Sequence, residues 1–181
     1  MAVLADDPLW PYAAAAAEGD NVAVAELVRR TQQAVWQTCA VLGSTGEVED
    51  LVQETYLRAL RSLPRFRGDA PVRLWLLSIA RRTCADHVRR RQRQRRLFDR
   101  LTMEAVTHPD GIQAGDVSAT VDLLQRLDPD RCEAFALTQL AGLSYEEAAT
   151  VVGCPIGTIR SRVARARDDL RAALDAGELA G

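Results

Sequence analysis

The chain has 181 residues, enough for one medium domain or two small ones, and its 48% hydrophobic content is that of a globular protein. Aromatic residues make up only 5% while alanine and leucine abound, which favours helices over sheets. No run approaches about 18 apolar residues, and the first ten residues carry acids where a signal peptide needs basic residues. We therefore expect a cytoplasmic protein without membrane insertion.

The formal charge of −2 is an average over opposed blocks. Residues 58–100 hold fourteen arginines against three acids, whereas 1–57 and 101–159 each hold two arginines against nine acids. All basic residues are arginine, whose planar fork grips phosphates and guanine edges. A polyanion suits the basic block, and a basic protein surface suits the acidic ones.

Apolar residues recur at helical spacing, and no alternating strand pattern is present. Caps, glycines and prolines predict helices at residues 9–17, 22–42, 48–63, 71–101, 118–127, 129–141, 145–152 and 155–176. Breakers between Met103 and Gly115 predict a linker. The expected fold is all-α, with two small helical domains at 1–102 and 116–181 joined by a flexible linker at 103–115.

The third predicted helix has one apolar and one acidic side. Its core side carries Val48, Leu51, Val52, Thr55 and Ala59, and its other side carries Asp50, Gln53, Glu54, Leu57 and Arg61. A small acidic patch around an exposed leucine is typical of a protein contact site. A single exposed leucine is also commonplace, so the alternative stays open.

The fourth predicted helix follows a turn-rich loop and has a basic edge. Its apolar stripe is Leu77, Ala80, Cys84 and Val88, and its opposite edge is Arg82, Asp86, Arg89, Arg93 and Arg96. Like charges one turn apart repel, and a phosphate backbone would neutralise them; an unused solvated face is the alternative. Phe66 lies among arginines in the loop, with Trp75 soon after, a composition that suits unstacked bases but also a core.

The most specific local pattern lies between Gly142 and Leu170. Ser144-Tyr-Glu-Glu147 has the form of a capping box, and Gly153 predicts a tight turn into the last helix. That helix has an apolar stripe of Ile159, Val163, Ala166, Leu170 and Leu174, opposite Gly157, Thr158, Arg160, Ser161, Ala164 and Arg165. The pattern predicts a DNA-binding helix-turn-helix, with an ordinary helical hairpin as the alternative.

The sequence predicts no catalytic, metal or cofactor site. Cys39, Cys84, Cys132 and Cys154 form no CxxC pair, so we interpret them as small buried residues in a reducing compartment. The two histidines have no partner at metal-site spacing. There is no phosphate-binding glycine loop and no nucleophile elbow, so an enzyme is not expected.

Three segments resemble the extracytoplasmic-function group of the sigma-70 family, and within it the actinobacterial sigma-C branch most. Glu49-Asp-Leu-Val-Gln-Glu-Thr-Tyr56 resembles the polymerase-binding signature D-x-x-Q-E-[TV]-[FY]. Arg65-Phe66, followed by Trp75-Leu76 and the arginine-rich helix, resembles the segment that reads the −10 element. Leu143-Ser-Tyr-Glu-Glu-Ala-Ala149 with Gly153-Cys-Pro-Ile-Gly-Thr-Ile-Arg-Ser-Arg-Val-Ala-Arg-Ala-Arg167 resembles the −35 recognition element.

The resemblance implies a sigma-2 domain at 1–102 and a sigma-4 domain at 116–181. Polymerase binding, through the β′ clamp helices and the β flap, would use Asp50, Gln53, Glu54 and Leu57. The −10 element would meet Arg65, Phe66, Arg67, Gly68, Asp69, Arg73, Trp75, Arg81, Arg82, Arg89 and Arg93. The −35 element would meet Gly157, Thr158, Arg160, Ser161, Arg162, Ala164, Arg165 and Arg167, with Arg162 and Arg167 nearer phosphates.

Two positions depart from the family pattern and bear on promoter choice. Arg82 stands where asparagine is frequent, and Ala164 is small where some members carry a bulkier side chain. Members commonly pair with an anti-sigma factor, although no segment of this sequence identifies one. The alternative function is a stand-alone helix-turn-helix repressor or activator, which would need a dimerisation surface and would have no use for the acidic patch.

Overall fold

The computed structural model describes residues 6–43, 46–101 and 117–177, with the side chains of 95–101, 117 and 118 left aside. Its α-helices are α1 (Trp10–Ala17), α2 (Asn21–Leu42), α3 (Val48–Ser62), α4 (Val72–Leu101), α5 (Val117–Gln125), α6 (Pro129–Phe135), α7 (Tyr145–Val152) and α8 (Ile156–Asp175). A 3₁₀ turn, Leu63–Arg65, follows α3, and a π-helical turn, Ala136–Leu140, continues α6. No strand occurs in these described ranges.

Helices α1 to α4 form the first domain around α2. The Asp20 carboxylate caps α2 by accepting from the backbone N–H groups of Val22 and Ala23, at 2.8 and 3.2 Å. Gly43 ends α2 where a Cβ atom would lie 2.3 Å from Leu51 Cδ1 on α3 and 2.5 Å from the Cys39 carbonyl oxygen, so a larger residue there would clash. This packing buries one face of α3 and leaves its acidic face in solvent.

Helices α5 to α8 form the second domain, which contains the predicted helix-turn-helix. Ser144 Oγ accepts from the Glu147 N–H at 3.1 Å, and the Glu147 carboxylate accepts from the Ser144 N–H at 2.7 Å, so the capping box is complete. Gly153 ends α7 with a left-handed φ of +79°, which turns the chain into α8.

The two domains pack against each other and share one hydrophobic core. A single buried cluster contains Val35 and Leu77 from the first domain with Leu137 and Val151 from the second. The Gln125 side chain adds polar contacts by donating to the carbonyl oxygens at the end of α2, at 3.1 and 3.2 Å. The two domains are therefore in contact, an arrangement that helical periodicity alone does not predict.

The helical fold and the helix order predicted from the sequence are confirmed, with helix ends within about two residues. The segment predicted as one helix at 129–141 ends instead in a π turn, in which Ala141 N–H reaches back five residues to Ala136 O at 2.9 Å. Cys39, Cys84 and Cys132 are buried as expected, and Cys154 is half-buried. Leu174, predicted on the apolar stripe of α8, is 53% exposed because α8 extends past its packing partners. The predicted linker at 103–115 lies outside the described residues.

Candidate polymerase and nucleic-acid interfaces

The acidic face of α3 is open to solvent. Asp50 and Gln53 are exposed with no side-chain partner in the described structure, and Leu57 is 42% exposed beside them. Glu54 is held differently, because its carboxylate accepts from Arg58 Nε at 2.7 Å while Arg58 also reaches Asp86 on α4 at 2.9 Å. The predicted polymerase-binding residues thus share one face, and one of them is anchored to the neighbouring helix.

The loop before α4 wraps around an aromatic cluster. Phe66 stacks on Trp75 with ring centroids 4.5 Å apart, and the edge of Trp10 meets Phe66 at 6.1 Å. All three rings are half-buried, so each has one part packed in the domain and another part in contact with solvent. Gly68 is buried and has a φ of +73°, a left-handed conformation that favours glycine.

A cleft of about 430 Å³ opens between this loop, the start of α4 and helix α7. The cleft is lined by Arg65, Arg67 and Asp69 from the loop and by Arg82 from α4, together with the stacked Phe66 and Trp75 rings. Thr150 and Val151 of α7 form the opposite wall. The structure therefore brings six predicted −10 residues, Asp69 among them, to one concave surface, and helix α7 of the second domain closes one side of it.

Other arginines of α4 bind the second domain, pair within α4 or lie exposed. Arg81 pairs with Glu133 of α6 at 2.6 Å, and Arg73 donates to the Ala141 carbonyl oxygen, so both bind the second domain. Arg89 pairs with Asp86 within α4 at 2.9 Å. The hydrogen bonds from Arg58 and, second, from Arg89 hold the pKa of the Asp86 carboxyl below its usual value. Arg93 is exposed, whereas the side chain of Arg96 lies outside the described residues.

The predicted reading face of α8 is open to solvent. The outward group consists of Gly157, Arg160, Ser161, Ala164, Arg165 and Arg167, all exposed, with Thr158 and Arg162 half-buried at its margin. Arg160 and Arg165 have no ion pair in the described part of the chain. Arg162 pairs with Asp130, and Arg167 donates to Gln139 Oε1 at 2.9 Å. Within the described residues, two guanidinium groups of this face are therefore unpaired, and two are held by other side chains of the second domain.

The residues of the second domain that contact the predicted −10 residues or their cleft have no signal in the sequence. Glu133, Ala141 and Thr150 were not singled out, because an acid, an alanine and a threonine on helix surfaces carry no local signal. Asp7 was also missed, although its carboxylate accepts from the Val72 N–H at 2.7 Å and caps α4 across 65 residues. No group of three or more His, Cys, Asp or Glu side chains in the described ranges is arranged to hold a metal ion.

Comparison with known proteins identifies the family to which the chain belongs. The profile of sigma-70 region 2 matches residues 27–94, and the profile of sigma-70 region 4 matches residues 119–170. A probable RNA polymerase sigma-C factor from Mycobacterium bovis is 42% identical over 178 residues, which cover 97% of this chain and 96% of the relative. The chain is an extracytoplasmic-function sigma factor of the sigma-70 family.

Further relatives and solved structures that resemble this sigma factor support the same family assignment. The extracytoplasmic-function sigma-E factor of Haemophilus influenzae is 32% identical over 83% of this chain and 87% of the relative. The structure of CnrH in complex with the cytosolic domain of CnrY has a TM-score of 0.69 at 32% identity, covering 91% of this chain and 96% of that one. The sigma factor RpoE of Bartonella quintana, solved with the anti-sigma factor NepR, also has a TM-score of 0.69 at 32% identity, covering 83% and 94%.

The family matches bear on the sequence-based predictions in different ways. They confirm the sigma-70 assignment, the resemblance to the sigma-C branch and the helix-turn-helix in the second domain. They do not test the roles of individual residues, which stay predictions. No helix in the described segments has the length and apolarity needed to cross a membrane.

Proposed function

We propose that this sigma factor binds core RNA polymerase in the cytoplasm, directs it to promoters by recognising −35 and −10 elements, and assists DNA melting without catalysing a reaction itself. The observation that carries the proposal is the presence of two separate arginine-bearing faces, one on each domain, beside an acidic face that faces solvent. Arg160 and Arg165 lie on one DNA face, and Arg65, Arg67 and Arg82 lie on the other. A polyanion with two spaced contact points fits this distribution.

Polymerase binding is assigned to the exposed side of α3, where Asp50, Gln53 and Leu57 combine charge, an amide and an apolar contact. Such a combination suits a basic partner surface with an apolar centre. The β′ clamp helices and the β flap of core polymerase are the partners implied by the family. An anti-sigma factor is a further proposed partner, because the related RpoE was crystallised with one.

Reversing the charge of Asp50 tests this assignment. Asp50→Arg should weaken binding to core polymerase at least tenfold, because it places a cation against a basic partner while breaking no contact within the chain. Glu18→Arg is the matched control, since Glu18 is also exposed but lies after α1, away from α3. Equal binding of both variants to core polymerase would refute the assignment.

The −35 contacts are assigned to the outward face of α8. Arginine contacts to guanine edges are worth about 1–3 kcal/mol of discrimination, whereas phosphate contacts carry no sequence information directly. Arg165→Ala should therefore flatten preference at one −35 position, while Arg167→Ala should weaken all sequences alike. Equal losses on specific and scrambled DNA for both variants would contradict the distinction.

The alternative, a stand-alone repressor or activator, makes an opposite prediction for the same experiments. Such a protein would bind promoter DNA specifically without polymerase and would be indifferent to Asp50→Arg. In this structure Arg81 and Arg73 of the predicted −10 surface are engaged by the second domain. That engagement favours a factor whose predicted −10 face becomes fully available only when the second domain moves away from it, as on binding polymerase.

A further inference from the structure

Residues 7–10, which lead into α1, contact both ends of the loop before α4. At the far end of the loop, Asp7 Oδ2 accepts from the Val72 N–H at 2.7 Å, and Asp7 Oδ1 accepts from the Leu9 N–H at 2.9 Å. At the near end, the edge of the Trp10 ring meets the Phe66 ring, with centroids 6.1 Å apart. One short segment of the chain therefore holds the two points between which the loop runs.

Apolar packing places this segment beside the loop. Leu9 lies in one buried cluster with Leu63 and Val72. Leu63 begins the 3₁₀ turn ahead of the loop, and Val72 begins α4. The Asp7 carboxylate, two residues before Leu9, is thereby held next to the first turn of α4.

Neither the loop nor α4 supplies an equivalent tether. Among the described residues, none of 67–70 takes part in a hydrogen bond or an ion pair, so the conformation of the loop depends on where its ends are held. The residue before α4 is Pro71, whose side chain has no acceptor, and the first turn of α4 contains no acid. A carboxylate at a helix N-terminus satisfies an unpaired N–H group and is favoured by the helix dipole. Asp7 fills this role from 65 residues away.

We propose that Asp7 is a positioning residue for promoter opening, which holds the loop before α4 in its working conformation through the Val72 N–H. The inference rests on the proposed function, because it takes this loop as part of the surface that assists DNA melting. Asp7 acts through Val72 and not through DNA, by reducing the conformational freedom that the loop must lose when it engages separated strands. Closed complexes, whose affinity comes mainly from phosphate contacts, depend little on it.

The test compares Asp7→Ala with a matched loss of a helix cap. Asp20 also accepts from two backbone N–H groups of the first domain, at 2.8 and 3.2 Å, but both belong to α2. A role in stability alone therefore predicts that Asp7→Ala and Asp20→Ala behave alike, whereas a positioning role predicts that they differ.

Holoenzymes are assembled from core polymerase and the full chain of each variant. Permanganate reactivity of the −10 region gives the rate of opening, and fluorescence anisotropy at low temperature gives the affinity of the closed complex. Asp7→Ala should slow opening roughly tenfold, the effect of losing one hydrogen bond to a charged group, and change closed-complex affinity less than about twofold. Asp20→Ala should slow opening less than about twofold, because a distant cap acts independently of the loop.

Amide hydrogen exchange of the free protein tests the tether without polymerase. The Val72 N–H should exchange at least about tenfold faster in Asp7→Ala than in the wild type, and at the wild-type rate in Asp20→Ala. Where Asp7→Ala does not fold, Asp7→Asn, which keeps one acceptor oxygen, replaces it in every measurement and should slow opening about threefold.

Equal slowing of opening by the variants at positions 7 and 20 would overturn the positioning role, as would opening at the wild-type rate without the Asp7 carboxylate. Unchanged exchange of the Val72 N–H in Asp7→Ala would overturn the tether itself. If the wild-type holoenzyme opens no promoter, the proposed function is wrong and the positioning role falls with it, even where hydrogen exchange shows that Asp7 holds Val72.

Discussion

The ion pair between Arg81 and Glu133 predicts how firmly the free protein holds its domains together. Arg81 Nε lies 2.6 Å from Glu133 Oε1, and the two side chains are 28% and 16% exposed. Hydrogen bonds to charged groups contribute about 1.5–3 kcal/mol, and we take about 1–2 kcal/mol here because Arg81 keeps partial contact with water. Glu133→Gln should therefore shift the equilibrium from packed towards separated domains roughly 5- to 30-fold.

The variant should also expose a DNA contact, because Arg81 is a predicted −10 residue. We expect the free Glu133→Gln protein to bind a single-stranded −10 oligonucleotide several-fold more tightly than the wild type, measured by fluorescence anisotropy. Small-angle scattering should show a larger radius of gyration. Glu146→Gln is the charge-matched control, since Glu146 is exposed on α7 and has no side-chain partner in the described structure. Identical oligonucleotide affinities and radii for the two variants would refute this reasoning.

Further predictions follow from packing, capping and burial. Gly43→Ala should lower the free energy of unfolding by about 1–3 kcal/mol in denaturant titrations, because the new Cβ would lie within 2.5 Å of two atoms. Gly157→Ala has open space around the new Cβ and should stabilise α8 by up to about 1 kcal/mol. Ser144→Ala removes half of the capping box and should cost about 1 kcal/mol, read from the same unfolding curves and from weaker −35 DNA binding. Burial raises the pKa of the Cys132 thiol to about 11, so little of it is thiolate at pH 8. Iodoacetamide should therefore label the half-buried Cys154 well before Cys132, as read from peptide mass spectra. Equal labelling of the two thiols would contradict the packing of α6.

Local features of the fold could be predicted from the sequence because their causes lie within a few residues. The capping box at Ser144 and the glycine turn at 153 need only their neighbours, and both are confirmed. The buried side of α3 follows from its helical period, as the burial of Leu51 and Thr55 shows. The π turn has no such signal, since it depends on how α6 meets the first domain.

The contacts of the predicted site could not be derived in the same way. Arg73, Arg81 and Arg82 all look alike in the sequence, as arginines near the start of a basic helix. The structure separates them, because two bind the second domain and the third lines the cleft between the loop before α4 and helix α7. The difference arises from elements more than fifty residues away, which periodicity along one helix cannot reveal.

The shared core of the two domains has a thermodynamic consequence for assembly with polymerase. Separating the domains would bring Leu77, Leu137 and Val151 towards water, and exposing apolar surface raises the heat capacity. Polymerase binding buries apolar surface and lowers it. The two contributions have opposite signs. Calorimetry of polymerase binding across several temperatures should therefore give a smaller heat-capacity change than the area of the final interface implies. An isolated first domain, which has no second domain to release, should give the full heat-capacity change.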